Sequence, residues 1–511
     1  MHRFMKNGRL CAVVAARTSS EALRQVHKAL RYTTTVELRL DWLAGPAEVQ
    51  KLLKSLGARR FRSAVEWIAT CRRQNAGGKF RGSVIDQLRL LRSAIRAGCR
   101  WVDVEIETVQ AVSPFMLEMY IKPAHGIVSF HDFRALPRPE RLSQIVSQLN
   151  RICSDGPFET FKVAVKCASL RDSLRLLKIA SRRSNSIVAP MGKLASAARI
   201  LSLRAGSRMA YAPVEQSTAP GQISLRQFRE LYRGGDFDSG TRVYGVIGNP
   251  VEHSLSPLLF NAGFQARKLN SVYLPFLVSD LRDFMAAVKP LGIRGFSVTL
   301  PFKQKLLRFL DGCDALADSI GAVNTVTVRA DGTLIGYNTD SVGILVALKR
   351  QAISGSRILI LGAGGAARAA AFTLMQAGAS LYVCSRRRGK AIELARAVHG
   401  DAVQRTGLRK RFFDVIINAT PVGMYPRERS SPLRASELNC SLAFDMVYRP
   451  RKTHFLRLAA ERGIDTVSGL EMFLAQATAQ WEIWTGTEAP RDAMRRAVEK
   501  ALRLDERKKR T

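Results

Sequence analysis

From Leu10 to Ala212, short runs rich in β-branched and aromatic residues alternate with longer segments of helical periodicity. A chain that repeats this alternation has few ways to cover both faces of its strands. Candidate strands fall at 11–15, 35–40, 64–70, 101–106, 127–130, 160–165, 186–189 and 209–212. Eight such units within roughly 220 residues predict a closed (β/α)8 barrel, an α/β fold whose chemistry gathers at the C-terminal ends of its strands. Residues 219–222 then close the unit, and 223–239 read as a helix and linker.

Two further αβ regions follow. The first opens with the strand V-Y-G-V-I at 243–247 and a turn at Gly248-Asn249-Pro250. The second opens with I-L-I-L at 358–361, which runs into G-A-G-G-A-A at 362–367 and an alanine-rich helix. Strand, glycine turn and helix in that order make a dinucleotide-binding arrangement. Gly362 allows the tight turn, Gly364 lets a pyrophosphate approach the backbone, and Ala367 lets helix and strand pack closely. Ala363, Gly365 and Ala366 complete the turn, and the helix start supplies free N–H groups. An acidic residue after the second strand of such a unit would select NAD; here stand Ser385, Arg386, Arg387 and Arg388. Guanidinium groups there suit a 2′-phosphate, so NADP(H) is the inferred cofactor.

With 511 residues, 46% hydrophobic and 24% charged, the chain predicts several folded domains and excludes wholesale disorder or a polytopic membrane protein. Lys and Arg number 80 against 42 acidic residues, a formal charge of +38. Such an excess favours anionic partners, whether small substrates and cofactors or nucleic acid. The basic residues are spread along the chain rather than gathered in one arm, which fits a solvated arginine-rich surface. Eight scattered cysteines without a C-x-x-C pair predict neither zinc site nor disulfide framework, and a cytoplasmic location. Residues 1–16 imitate a weak signal peptide but read better as the approach to a first buried strand.

Residues 249–261 read N-P-V-E-H-S-L-S-P-L-L-F-N, followed by G-F-S-V-T-L-P-F-K at 295–303, G-A-V-N-T at 321–325 and G-Y-N-T-D at 336–340. I-N-A-T-P-V-G-M at 417–424, F-D-M-V-Y at 444–448 and G-L-E-M-F-L-A-Q at 469–476 continue the series. This stretch, about 240 to 490, closely resembles shikimate dehydrogenase. Reducing a ketone by hydride transfer needs a group that protonates the developing alkoxide. The resemblance gives Lys303 that role with Asp340 beside it, and sets Ser254, Ser256, Thr299, Asn324 and Gln476 around the substrate. It adds Ser385, Arg386, Asn418, Thr420, Met446, Tyr448 and Gly469 to the cofactor site. Ser297 departs from the asparagine usual before Val-Thr, so local hydrogen bonding there is expected to differ.

V-E-L-R-L-D at 36–41, D-V-E at 103–105, S-F-H-D-F at 129–133, the strand carrying Lys162, Met191-Gly192 and A-P-G-Q at 219–222 together resemble type I 3-dehydroquinate dehydratase. The resemblance spans about 10 to 222. Eliminating water from a β-hydroxy ketone calls for an electron sink, which a lysine Schiff base supplies. The family position points to Lys162, although strand alternation puts Lys166 on the same face. Burial and neighbouring cations are expected to free its amine. His131 is the expected general acid/base, with Glu105 orienting its ring and His125 as an alternative. Glu37, Arg39, Arg72 and Arg199 would bind the substrate, with Thr218 and Gln222 on the closing loop. Thr218 replaces a usual serine, and Ala76 the glutamate of a usual E-G-G.

The two resemblances imply consecutive reactions. The expected protein is therefore a bifunctional enzyme: a TIM barrel (1–222), a linker (223–240), a substrate-binding domain (241–345), a Rossmann NADP-binding domain (346–470) and helices returning to the substrate domain (471–511). Its expected partners are small molecules, with neither metal, membrane nor nucleic acid. A basic nucleic-acid-binding or regulatory protein on enzyme-like folds, or a chain with one active half, is the alternative.

Overall fold

The eight expected strands form as β1 (Leu10–Val14), β2 (Thr35–Arg39), β3 (Glu66–Thr70), β4 (Trp101–Glu105), β5 (His125–Asp132), β6 (Phe158–Lys166), β7 (Ser186–Met191) and β8 (Ala210–Pro213). All adjacent pairs are parallel, in the order β7-β6-β5-β4-β3-β2-β1-β8. The seam between β7 and β8 is bridged instead by the Arg208 N–H to the Ser186 carbonyl (2.9 Å) and the Val188 N–H to the Ser207 hydroxyl (3.1 Å). The computed structural model describes residues 9–56, 65–215, 222–234 and 236–508. By contact it divides into Met1–Thr241 with Arg282–Leu291, and Arg242–Leu281 with Gly292–Thr511.

Helices cover the barrel because their apolar residues recur at three- and four-residue spacing. The helix Leu170–Arg182 buries Leu170, Ser173, Leu176, Leu177 and Ala180 on one stripe and leaves its arginines outside. Val84–Arg96 starts at a reciprocal cap, Ser83 bonding the Asp86 N–H and the Asp86 carboxylate bonding back. Inside, alternation stacks the side chains in layers contributed by alternate strands. Cys11, Ile68, Ile127 and Ile187, from the odd-numbered strands, belong to an apolar floor. Glu37, Asp103, Lys162 and Tyr211, from the even-numbered strands, are all buried. Beyond the barrel, the expected helix at 223–239 shrinks to a single wide turn, Gln227–Leu231, anchored by buried Phe228.

The second unit holds two sheets. The first comprises β9 (Arg242–Gly248), β10 (Ser271–Leu277), β11 (Ile293–Val298), β12 (Gly312–Cys313), β13 (Thr325–Val328) and β14 (Leu334–Tyr337), in the order β10-β9-β11-β13-β14-β12. β13 runs antiparallel to both neighbours. The other comprises β15 (Arg357–Leu361), β16 (Ser380–Cys384), β17 (Asp401–Ala402), β18 (Phe413–Asn418), β19 (Cys440–Asp445) and β20 (Asp465–Ser468), all parallel, in the order β17-β16-β15-β18-β19-β20. That order reverses between β15 and β18, which opens a crevice at the strand ends where dinucleotides bind in doubly wound sheets. The helices Gly469–Thr485 and Arg491–Lys508 follow, and Trp481, Met494 and Val498 pack with Phe260, Phe264 and Tyr273 over the mixed sheet.

Candidate active sites

In the barrel, β6 presents Lys162 inward, where only 6% of the residue remains accessible. Its Nζ lies 2.9 Å from Asp103 Oδ2 and 3.7 Å from Glu37 Oε1. The nearest charges are thus carboxylates rather than the expected cations. Lys166, at the end of the same strand, is exposed, so the structure separates the two candidates. Asp103 also accepts from Arg72 Nη2 (2.7 Å) and Ser129 Oγ (2.6 Å). Burial works against its charge, but Arg72 and Lys162 together hold its pKa below the ordinary carboxylate range.

His131 stands near the C-terminal end of β5, and His125 begins that strand at the opposite end, paired with Glu159. Burial, with Arg72 and Lys162 adding repulsion, holds the His131 imidazole well below its usual pKa, so it is neutral at pH 7. Glu105 does not orient it. The register pairs Glu105 with Ser129, two residues short of His131. The Glu105 carboxylate is taken instead by Gln87 Nε2 (2.9 Å), the Arg73 N–H (3.2 Å) and Arg72 (3.7 Å). Among the described residues, His131 Nδ1 has no hydrogen-bond partner. Ala76, the one buried residue of the turn Gln74–Ala76, offers only a methyl group where the resemblance leads one to expect a carboxylate.

The arginines divide by occupation. Arg72 is buried beside Lys162's partner Asp103, which it bonds together with Ser129 Oγ (2.6 Å), and it lies 3.7 Å from Glu105 Oε2. Arg39 makes a two-point pair with Asp41, at 3.0 and 2.9 Å. Arg199 is buried, with Nε and Nη1 unpartnered among the described residues, and burial pushes its pKa down to about 10. A buried guanidinium in that state is a strong receptor for a carboxylate. Glu37 accepts from Thr70 Oγ1 at 2.8 Å. Gln222 is half-buried, and Thr218 lies outside the described residues. Asp103 and Tyr211 were missed as site residues; alternation along β4 and β8 already turned both inward.

In the second unit, Lys303 Nζ pairs with Asp340 Oδ2, while Asp340 Oδ1 accepts from Asn324 Nδ2 at 2.8 Å. Asn324 also reaches Gln476 Oε1 at 3.4 Å, so three distant segments of sequence meet. Thr299 donates its N–H to the Ile247 carbonyl (3.0 Å) beyond the end of β11. Ser254 Oγ accepts from the Ser256 N–H (3.2 Å) where the helix Ser256–Ala266 begins. Ser297 joins a buried chain: Tyr273 Oη donates to Ser297 Oγ (2.6 Å), which donates to Gln480 Oε1 (2.7 Å), and Gln480 Nε2 bonds Thr325 Oγ1 (2.9 Å). The departure at 297 therefore alters hydrogen bonding behind Asn324 and leaves the Lys303–Asp340 pair intact.

The cofactor candidates stand at or just beyond the C-terminal ends of β15, β16, β18, β19 and β20. Gly362 has φ +117°, and a Cβ there would lie 3.2 Å from the Ala419 carbonyl oxygen. Gly364, exposed, caps the helix Gly365–Gln376, and a Cβ on it would meet open space: a cradle suited to a pyrophosphate. Ala363, Gly365 and Ala366 are half-buried along the same turn, Ser385 is half-buried, and Arg386 and Arg387 are exposed beyond β16. Asn418 Oδ1 accepts from Thr420 Oγ1 at 2.7 Å, Met446 donates its N–H to the Asn418 carbonyl (3.1 Å), and Tyr448 stacks on Phe473. Gly469 starts its helix against the Met446 carbonyl.

A Cβ on Gly365 would sit 2.7 Å from Lys303 Cβ, close to its own backbone. Gly365→Ala is expected to displace Lys303 and lower ketone reduction about 10- to 100-fold with little loss of thermal stability. Unchanged turnover would show that the helix start yields freely.

Asp445, also missed from the sequence, supports this crevice. Its carboxyl accepts from Asn418 Nδ2 (2.9 Å), the Val447 N–H (3.0 Å) and Thr453 Oγ1 (2.6 Å). Burial outweighs those donors and raises its pKa to about 7. The native state then binds a proton more tightly than the unfolded chain, so this group's contribution to stability is full below about pH 4 and declines as pH rises to about 7. Asn can keep all three bonds, because Thr453 Oγ can accept as well as donate. Asp445→Asn is expected to unfold at higher urea than the parent at pH 8, by up to about 4 kcal/mol, and to match it near pH 4. Equal midpoints at both pH values would contradict this.

A buried amine in a parallel barrel, joined to a dinucleotide crevice beside a lysine–aspartate pair, defines a lyase barrel fused to a nicotinamide-dependent oxidoreductase. The family model of type I 3-dehydroquinase matches residues 10–235, that of the shikimate dehydrogenase substrate binding domain 246–326, and that of the shikimate 5'-dehydrogenase C-terminal domain 469–499. The chain is 33% identical to the chloroplastic bifunctional 3-dehydroquinate dehydratase/shikimate dehydrogenase of Arabidopsis thaliana, over 96% of this chain and 84% of that one. It is 41% identical to the shikimate dehydrogenase (NADP(+)) of Moorella thermoacetica, over 52% of this chain and 95% of that one. A crystal structure of shikimate 5-dehydrogenase from Thermus thermophilus with NADP(H) and shikimate is 36% identical, with a TM-score of 0.47 over 51% of this chain and 99% of that one. This chain belongs to the family of bifunctional 3-dehydroquinate dehydratase/shikimate dehydrogenases.

Proposed function

We propose that the barrel dehydrates 3-dehydroquinate to 3-dehydroshikimate and that the second unit reduces 3-dehydroshikimate to shikimate with NADPH. In a chain of this family, the observation that carries the reading is a buried Lys162 amine below a neutral His131 with an unpartnered ring nitrogen. Lys162 attacks the ring ketone, an Nζ–C bond forms, and the carbonyl oxygen leaves as water. His131 takes the proton from the adjacent carbon while the electron pair moves into the iminium. The imidazolium then gives its proton to the departing hydroxyl, and hydrolysis frees the lysine. Arg199 holds the substrate carboxylate; Glu37, Arg39 and Gln222 meet its hydroxyls, with Thr218 on the closing loop.

In the second unit, NADPH when bound supplies the hydride. The turn at 362–366 holds its pyrophosphate, Ser385, Arg386 and Arg387 take its 2′-phosphate, and Asn418, Thr420, Met446, Tyr448 and Gly469 border the crevice. Lys303 protonates the developing alkoxide, and Asp340, braced by Asn324, keeps the ammonium in place. Ser254, Ser256, Thr299, Asn324 and Gln476 bind the substrate's carboxylate and hydroxyls.

The domain bounds we propose are 1–222, 241–345, 346–470 and 471–511, with 223–240 as linker. No helix among the described residues is long and apolar enough to cross a membrane. All eight cysteines are free thiols, which supports a reducing cytoplasmic setting. Adding 3-dehydroquinate alone to the protein and NADPH should consume NADPH, with NADH a poor substitute. No absorbance change would overturn the combined reading.

A further inference from the structure

The layer that holds Lys162 has a fourth member with no role assigned so far. Glu37 comes from β2, Asp103 from β4, Lys162 from β6 and Tyr211 from β8. Lys162 Nζ lies 4.0 Å from the centroid of the Tyr211 ring, the distance of a strong cation–π contact. The ring is buried among Cys11, Ile68, Ile127 and Ile187 of the floor. Among the described residues, its hydroxyl has no hydrogen-bond partner. No hydroxyl bond thus accounts for the ring's position; what the ring meets is the amine above and apolar side chains below.

We propose that Tyr211 is a positioning residue for the covalent step, its ring face holding the Lys162 nitrogen in the cationic forms that open and follow condensation with the ketone. The inference rests on Lys162 being the Schiff-base lysine. Condensation converts a protonated amine and a ketone into an iminium and water, so the nitrogen goes from three N–H bonds to one. With three, it can serve both Asp103 and Glu37; with one, it can serve only a single acceptor. The attraction of a ring face for positive charge uses no N–H bond and survives this loss. Tyr211 therefore carries a growing share of the hold on the nitrogen as the reaction proceeds, and it counters displacement of the iminium towards one carboxylate.

The test uses the full chain with phenylalanine and its mono-, di- and trifluorinated analogues at position 211, together with Tyr211→Leu. Fluorination weakens the ring face at nearly constant volume, and reductase activity on shikimate and NADP+ reports on the rest of each preparation. Tyr211→Phe is expected to keep dehydratase kcat and the rate of borohydride trapping on Lys162 within about twofold. Each added fluorine should lower both, reaching about 10- to 30-fold with three fluorines or with leucine, while KM changes less than about twofold. A flat fluorine series, or an effect confined to KM, would overturn the inference and leave the Schiff base standing. A loss already complete with phenylalanine would assign the effect to the hydroxyl and overturn it equally. Label absent from Lys162 in the parent protein would overturn both readings.

Discussion

Replacing Lys162 by alanine is expected to lower dehydration of 3-dehydroquinate by about 10⁴-fold or more, because among the described residues of the barrel no other lysine is buried. Lys166 cannot substitute: it is exposed at the end of β6, beyond the layer that holds Asp103 and Glu37. The variant also leaves two buried carboxylates short of a cation. Asp103 keeps Arg72 and Ser129, and Glu37 keeps the Thr70 hydroxyl. The barrel should therefore fold with a loss of about 3 kcal/mol rather than collapse. Reduction of 3-dehydroshikimate by the same polypeptide should be unchanged. Borohydride with substrate should label the parent protein at Lys162 and the variant nowhere; dehydratase turnover within tenfold of the parent would refute the assignment.

For the second reaction, Lys303→Ala is expected to reduce hydride transfer about 10³-fold while the Kd for NADPH stays within about twofold. The separation follows from geometry. Lys303 passes the cofactor turn with its stem beside Gly365, whereas its Nζ pairs with Asp340. Loss of the amine removes the proton donor and leaves the cradle at Gly362 and Gly364 intact. Asp340 remains hydrogen-bonded to Asn324 (2.8 Å), so the site keeps its shape. Turnover within tenfold of the parent, or NADPH affinity lost in parallel, would assign Lys303 to cofactor binding instead.

Strand periodicity carried most of this architecture because it reports local burial: each barrel strand begins and ends within two residues of its expected limits. The Rossmann turn was equally legible, since a glycine at φ +117° leaves its mark at one position. Contacts across the barrel were not. β4 and β6 are not neighbours in the sheet, so the meeting of Asp103 with Lys162 depends on closure, which no linear pattern encodes. The same blindness assigned Glu105 to His131, when β4 register and the helix Val84–Arg96 direct it to Arg73 and Gln87. Asp445 escaped notice because its consequence lies in burial, which a short polar residue at a strand end does not announce.

Asn324, Asp340 and Gln476 meet in one hydrogen-bonded group although Gln476 lies far along the chain, in the helix Gly469–Thr485. Every residue assigned to the dehydration step precedes position 223. On a translating ribosome, where domains fold as they emerge, the lyase machinery is released from the exit tunnel long before the last ligand of the reductase has been synthesised. The order in which the two catalysts are born is thus the order in which a substrate molecule needs them.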